Sequence, residues 1–299
     1  MSNIPLEYNS NSKIEELIQT ASKILRKSDI TNEDKKELKE IASAIDSMAD
    51  NGKKTVTKEK LIDNLGIKLP AKRLTSISKL INNFMFLKEH GIQDFSKLKT
   101  RYCYAMHADL SKVEEKLGSI GFKDPAKLIK KYPIIAGLNI DKKIENFKNA
   151  GFSNPIKIIE SYPPIISIDI KRAISDLTEV GFNNPVRCIE KYPPLASLSK
   201  KYCAEKIDYL KKYGISIEDI KEKPYILGYS LKPKMYSTLE YIRAKIGSYN
   251  IKDYGINIAS VLYARGPELI KILRCHGINA DLEEFRRFSD ELAVSDLRR

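Results

Sequence analysis

Residues 121–150 read GFKDPAKLIKKYPIIAGLNIDKKIENFKNA, residues 151–180 read GFSNPIKIIESYPPIISIDIKRAISDLTEV, and residues 181–210 read GFNNPVRCIEKYPPLASLSKKYCAEKIDYL. One pattern is written three times at a period of 30 residues. Gly121-Phe122, Gly151-Phe152 and Gly181-Phe182 open the units. Asp124-Pro125, Asn154-Pro155 and Asn184-Pro185 follow at one offset, and Tyr132-Pro133, Tyr162-Pro163 and Tyr192-Pro193 at another. Self-similarity of roughly this period marks a stack of repeats, in which no unit buries its apolar face alone and function is sought on a long surface.

Each unit has a physical reading. Asp or Asn before Pro starts a helix: the short side chain accepts from free amides, and proline at the first helical position loses no hydrogen bond. Tyr-Pro ends that short helix, because the residue before a proline is pushed out of the α region. A longer helix follows, with apolar residues at Ile140, Ile144 and Phe147 in one unit and Ile170, Ile174 and Leu177 in the next. Gly151 and Gly181 then stand where a left-handed helix end wants no Cβ. Weaker copies extend outward through Gly91, Gly214, Gly247 and Gly277, making seven glycine anchors. In the flanking copies Lys223-Pro224 stands in for Tyr-Pro, and Cys103 takes the place of the proline after Tyr102. The fold expected is all-α, a curved solenoid of about 30-residue units, each two α-helices and a proline turn.

The flanks differ from the repeats. Residues 1–52 are expected to form an acidic helical cap, with helix starts at Ser12-x-x-Glu15 and Thr31-x-x-Asp34 and a closing Asn51-Gly52. Repeats are assigned to 53–277, clearest over 113–224, and a capping helix or tail to 278–299. Residues 58–87 can be drawn as a helix-turn-helix. The match is poor, because Ile62 falls where such motifs need a small residue and Lys72 where they need an apolar one.

Charge separates the same regions. The chain carries 52 Lys and Arg against 39 Asp and Glu, a net charge of +13. Residues 1–50 are acidic by three, so the excess lies between 51 and 277, where 41 basic face 23 acidic residues. Such an excess wants a polyanion. Lys97, Lys127, Lys157 and Arg187 each lie six residues after a repeat glycine, and a stack aligns such positions. A second series, Lys142-Lys143, Lys171-Arg172 and Lys200-Lys201, stands at the start of each long helix. Cations there oppose the helix dipole unless an anion is bound. Duplication copies surface residues too, so solvated lysine faces are the plain alternative. The tyrosines before the prolines read as wedges between units, leaving Tyr229, Tyr249 and Tyr263 as candidates for base stacking.

Chemistry finds little support. The three histidines are dispersed, the four cysteines lack close pairs, and no phosphate-binding loop, dinucleotide-binding or Gly-x-Ser-x-Gly pattern occurs. Cys188 and Cys203 stand at apolar repeat positions and read as buried thiols. No enzyme activity, metal or cofactor is expected. The first arginine is Arg26 and acidic residues precede it, which is unlike a transit peptide, and no apolar run reaches membrane length. A cytoplasmic monomer is the expectation.

The unit Gly-Phe-x-[Asp/Asn]-Pro-x-[Lys/Arg]-x-Ile-x-x-Tyr-Pro resembles the repeat of the mitochondrial transcription termination factor (mTERF) family, strongly over 113–224 and more loosely over 80–277, with residues 1–75 outside the likeness. The resemblance implies a curved helical solenoid with a 3₁₀ turn at each proline and a basic path for nucleic acid, in the control of transcription or other gene expression. Double-stranded DNA is the favoured partner, with RNA as the other. The competing reading is a scaffold that binds an acidic protein on its concave face.

Overall fold

The structure, a computed structural model, describes residues 6–48, 53–67, 76–98, 102–228 and 235–296. Regular structure among these residues is helical throughout, α and 3₁₀, with no strand. The Asn51-Gly52 end, Tyr229 and the side chains of Cys103 and Tyr263 lie outside the described residues. The chain divides into two compact units, Met1–Lys143 and Ile144–Arg299.

In the first unit, α1 (Leu6–Arg26), α2 (Asn32–Met48), α3 (Lys53–Asn64) and α4 (Ile77–Glu89) pack together. The stripes explain why: Ile14, Ile18, Ala21 and Leu25 of α1 and Leu38, Ile41 and Ile45 of α2 are buried at helical spacing. The expected start of α2 is present in full. The Thr31 amide donates to Asp34 Oδ2 at 2.9 Å and the Asp34 amide to Thr31 Oγ1 at 3.1 Å, a reciprocal capping box. The expected start at Ser12 is corrected, since α1 begins at Leu6 and Ser12 lies inside it. A Ser-x-x-Glu pattern caps only where the chain behind it leaves the helix, and here it does not.

Helix α4 counts against a helix-turn-helix, although Lys72 and the rest of 68–75 lie outside the described residues. Ile77, Leu80, Ile81, Phe84, Met85, Phe86 and Leu87 are all buried, and even Asn83 and Lys88 are covered. A helix enclosed on nearly every side has no face to offer a DNA groove. Asn83 also orders the next segment: its amide donates to Ala108 O at 2.8 Å, and its carbonyl accepts from the Leu110 amide at 3.0 Å. That contact fixes the entry of α6 (Leu110–Ile120), after the single turn α5 (Tyr102–Ala105). The clear repeat begins with α7 (Pro125–Lys131), the 3₁₀ turn Pro133–Gly137 and α8 (Ile140–Asn149), inside which the division falls.

The second unit continues as α9 (Pro155–Ser161), the turn Pro163–Ser167, α10 (Ile170–Glu179), α11 (Pro185–Lys191), the turn Pro193–Ser197 and α12 (Lys200–Lys211). Then come α13 (Ile217–Glu222), the turn Pro224–Gly228, α14 (Tyr236–Ile246), a 3₁₀ turn at Ile251–Tyr254, α15 (Ile258–Tyr263), α16 (Gly266–Cys275) and α17 (Leu282–Asp296). Every anchor glycine has positive φ, 91° at Gly151 and 103° at Gly181. The amide of the next residue reaches back five positions, Phe152 to Phe147 O and Phe182 to Leu177 O, which is the Schellman closure. Gly66 makes the same closure with Ile67 donating to Ile62 O, an eighth anchor.

Successive repeats are tied by polar contacts as well as by the core. Ser153 donates from its amide and hydroxyl to Glu190 Oε1 at 2.8 and 2.7 Å, and Tyr162 Oη lies 3.5 Å from Ser197 Oγ. The wedge reading of the tyrosines holds with one adjustment: Tyr102 is buried, whereas Tyr132, Tyr162 and Tyr192 are half-buried at the rim. In α10 the buried seam runs through Ala173 as well as Ile170 and Leu177, with Ile174 only half-buried.

The period breaks after α14. Gly247 ends that helix, yet the next short helix is preceded by Gly255-Ile256-Asn257-Ile258, the counterpart of Gly214-Ile215-Ser216-Ile217. Residues 247–255 are thus an insertion carrying the turn Ile251–Tyr254.

Candidate nucleic-acid interface

The first series of basic residues has a common structural origin. Asp124, Asn154 and Asn184 each cap a seven-residue helix by accepting from the amide three residues on, at 2.9, 3.0 and 3.1 Å. Those amides belong to Lys127, Lys157 and Arg187. The three side chains therefore occupy one register position, the third of the helix, and all are exposed. None forms an ion pair among the described residues. Lys97 is third in the turn Phe95–Lys97, but there Asp94 accepts from the Ser96 amide instead, and the Lys97 side chain lies outside the described residues.

The helix-start pairs drift in register. Lys142-Lys143 fill the third and fourth positions of α8, Lys171-Arg172 the second and third of α10, and Lys200-Lys201 the first and second of α12. The third amide of each helix is taken by its own cap, Asn139, Asp169 or Ser199, at 3.2 Å in every case. Several of these cations also have carboxylate partners. Lys200 pairs with Glu179, which holds the lysine pKa up and the carboxyl down through that hydrogen bond. Arg172 lies 3.8 Å from Asp176, and Lys201 lies 3.8 Å from Glu205. Lys142, Lys143 and Lys171 form no ion pair among the described residues.

Other chemistry is sparse. Cys188 and Cys203 are buried, and burial pushes the Cys203 thiol up to about 11, the opposite of what a nucleophile needs. No cluster of His, Cys, Asp and Glu suited to a metal occurs among the described residues. A cavity of about 170 Å³ opens beside the insertion, lined by Ile215, Ile226 and Ile256 and walled by the Lys252–Asp219 pair at 2.5 Å. Glu222 and Lys223 line it too, so its four charges cancel in number. Lys206 was not singled out by the sequence: it is fully buried in α12, donates to Leu227 O at 3.0 Å, and burial lowers its pKa to about 8. Only its polar character at a position 30 residues after Asp176, itself half-buried, signals it.

Short Asx-capped helices, proline turns and glycine closures, with cations recurring at one slot, define an all-helical repeat protein with a basic surface. The chain belongs to the mTERF family, whose model matches residues 12–249. That match begins well inside the region read as outside the likeness, and it stops before Gly277. Membership suggests nucleic-acid binding and regulation of gene expression in general, by a family that is not enzymatic. No curated protein and no solved structure matches the chain. Among the described residues no helix is long and apolar enough to cross a membrane.

Proposed function

We propose that the chain grips the phosphate backbone of nucleic acid, with duplex DNA the favoured form, and acts in the control of gene expression without catalysing a reaction. The observation that carries this reading is the slot shared by Lys127, Lys157 and Arg187, exposed in three successive repeats and without an ion pair among the described residues. A cation without a partner keeps its full attraction for phosphate, whereas Arg172, Lys200 and Lys201 have carboxylates to exchange. We assign Lys97, Lys142 and Lys143 of the first unit, and Lys171, Arg172, Lys200 and Lys201 of the second, to secondary phosphate contacts, and α1 and α2 to an acidic cap that makes none.

Phosphate contacts release counterions, so the test is salt dependence. With about six contacts, affinity for duplex DNA falls roughly a thousandfold between about 50 and 200 mM salt. Reversing Lys127, Lys157 and Arg187 to glutamate weakens binding to all sequences alike and flattens that slope, because backbone contacts carry no base information. Reversal of Lys36 and Lys39, exposed on α2, leaves it unchanged. Salt-insensitive binding, or a triple variant that binds as the parent does, overturns the reading in favour of an acidic protein partner.

A further inference from the structure

The insertion between Gly247 and Gly255 carries the two most exposed large aromatic side chains among the described residues, Tyr249 at 51% and Tyr254 at 39%. Tyr249 is held in place. The Arg243 guanidinium lies 4.8 Å from its ring centroid, and the Tyr213 ring meets it at 5.7 Å with a 57° tilt. Arg243 is itself fixed, donating from Nε to Glu240 at 2.7 Å. Glu240 in turn accepts from the Tyr213 hydroxyl, which lies 3.1 Å from Tyr209 Oη. A chain of four side chains thus seats a cation against the ring and leaves half of the residue in water.

The surroundings argue for what covers it. Ser248, Asn250, Lys252 and Asp253 flank the tyrosine, so most of its neighbours along the insertion are polar. A protein interface needs about 800 Å² from each partner with an apolar centre, and two partly exposed tyrosines fall far short. A single flat heteroaromatic needs only one ring. Lys212, the residue before Tyr213 in the chain, is exposed and has no ion-pair partner among the described residues, and the Tyr213 carbonyl accepts from the Ile251 amide at 3.4 Å.

We propose that Tyr249, backed by Arg243, is a stacking platform for an unpaired base of single-stranded nucleic acid, with Lys212 taking an adjacent phosphate. The proposal rests on the nucleic-acid reading above and adds to it a second form of ligand at a distinct place. The platform belongs to the insertion rather than to the repeat, and the family match ends at this residue.

The test is binding of a single strand carrying 2-aminopurine, whose fluorescence is quenched on stacking; the chain has no tryptophan to interfere. Tyr249→Ala is expected to weaken single-strand binding about tenfold and to abolish the quenching, while duplex affinity stays as in the parent. Tyr249→Phe keeps the ring and both properties. Circular dichroism and melting of the variants check that the fold is intact. If Tyr249→Ala binds and quenches as the parent does, the platform is overturned. A parent that binds duplex but no single strand also overturns the platform and leaves the phosphate reading standing; a parent that binds neither removes both. Concentration-dependent dimerisation lost in Tyr249→Ala overturns the platform in favour of contact between two copies.

Discussion

The phenol of Tyr192 fills the space beside Gly228: a Cβ on that glycine would overlap the hydroxyl oxygen and stand 2.7 Å from the ring carbon bearing it. One repeat's rim tyrosine is thus seated on the next repeat's proline turn. Gly228→Ala should cost about 1–3 kcal/mol by overpacking, measured as a lowered denaturant midpoint. In a Tyr192→Ala background the same substitution should cost almost nothing. Equal costs in both backgrounds would show that the two residues are not coupled.

The cap slots make a separate prediction. Asn184→Ala removes the acceptor for the Arg187 amide and should lose about 1 kcal/mol, while Asn184→Asp retains it. A stable Asn184→Ala chain would mean that proline alone starts α11.

For Tyr162, the wedge is half-buried rather than enclosed. Tyr162→Ala should therefore cost less than the roughly 3 kcal/mol of a fully enclosed aromatic, and Pro163→Ala roughly 0.4–1 kcal/mol through the unfolded chain. A loss of the full core magnitude at Tyr162 in equilibrium unfolding would return the ring to the core.

Lys206 gives the pH prediction. Its pKa is about 8 in the folded chain against 10.5 when exposed. Between those values the unfolded chain holds a proton that the folded chain has released, so the lysine's contribution makes stability rise with pH. Cys203 acts in the opposite sense between 9 and about 11, because there the folded chain keeps the proton. Comparing Lys206→Met with the parent isolates the lysine: relative to the variant, the parent should gain stability from about pH 8 to 10.5 and hold steady below. A difference that does not change with pH would refute it.

How far the sequence could be read depends on whether a signal is local. Asp or Asn before Pro, Tyr before Pro, and glycine before an apolar residue each act within a few residues of backbone, and each yields the helix start, turn or left-handed closure it implies. Ser12-x-x-Glu15 misled because a cap also requires the preceding chain to be non-helical, which α1 is not. Gly255 was hidden because Gly247 already satisfied the spacing, although the match of Gly214-Ile215-Ser216-Ile217 to Gly255-Ile256-Asn257-Ile258 could have exposed it. Asn83 and Lys206 were illegible for another reason. Each is held by carbonyls distant in sequence, which the chain near them does not record beyond the polar character that Lys206 shares with Asp176 one repeat earlier.

The capping box of α13 bears on how long a ligand the basic slot can hold. Ser216 and Asp219 cap each other, with the Ser216 amide 2.7 Å from Asp219 Oδ2 and the Asp219 amide 3.3 Å from Ser216 Oγ. Asp219 thereby fills the same third position that Lys127, Lys157 and Arg187 fill in the preceding repeats, and Lys252 neutralises it. A backbone tracking the slot finds no net positive charge there. Hydroxyl-radical protection on bound nucleic acid would accordingly have a sharp edge at the α13 repeat, and Asp219→Lys would move that edge outward.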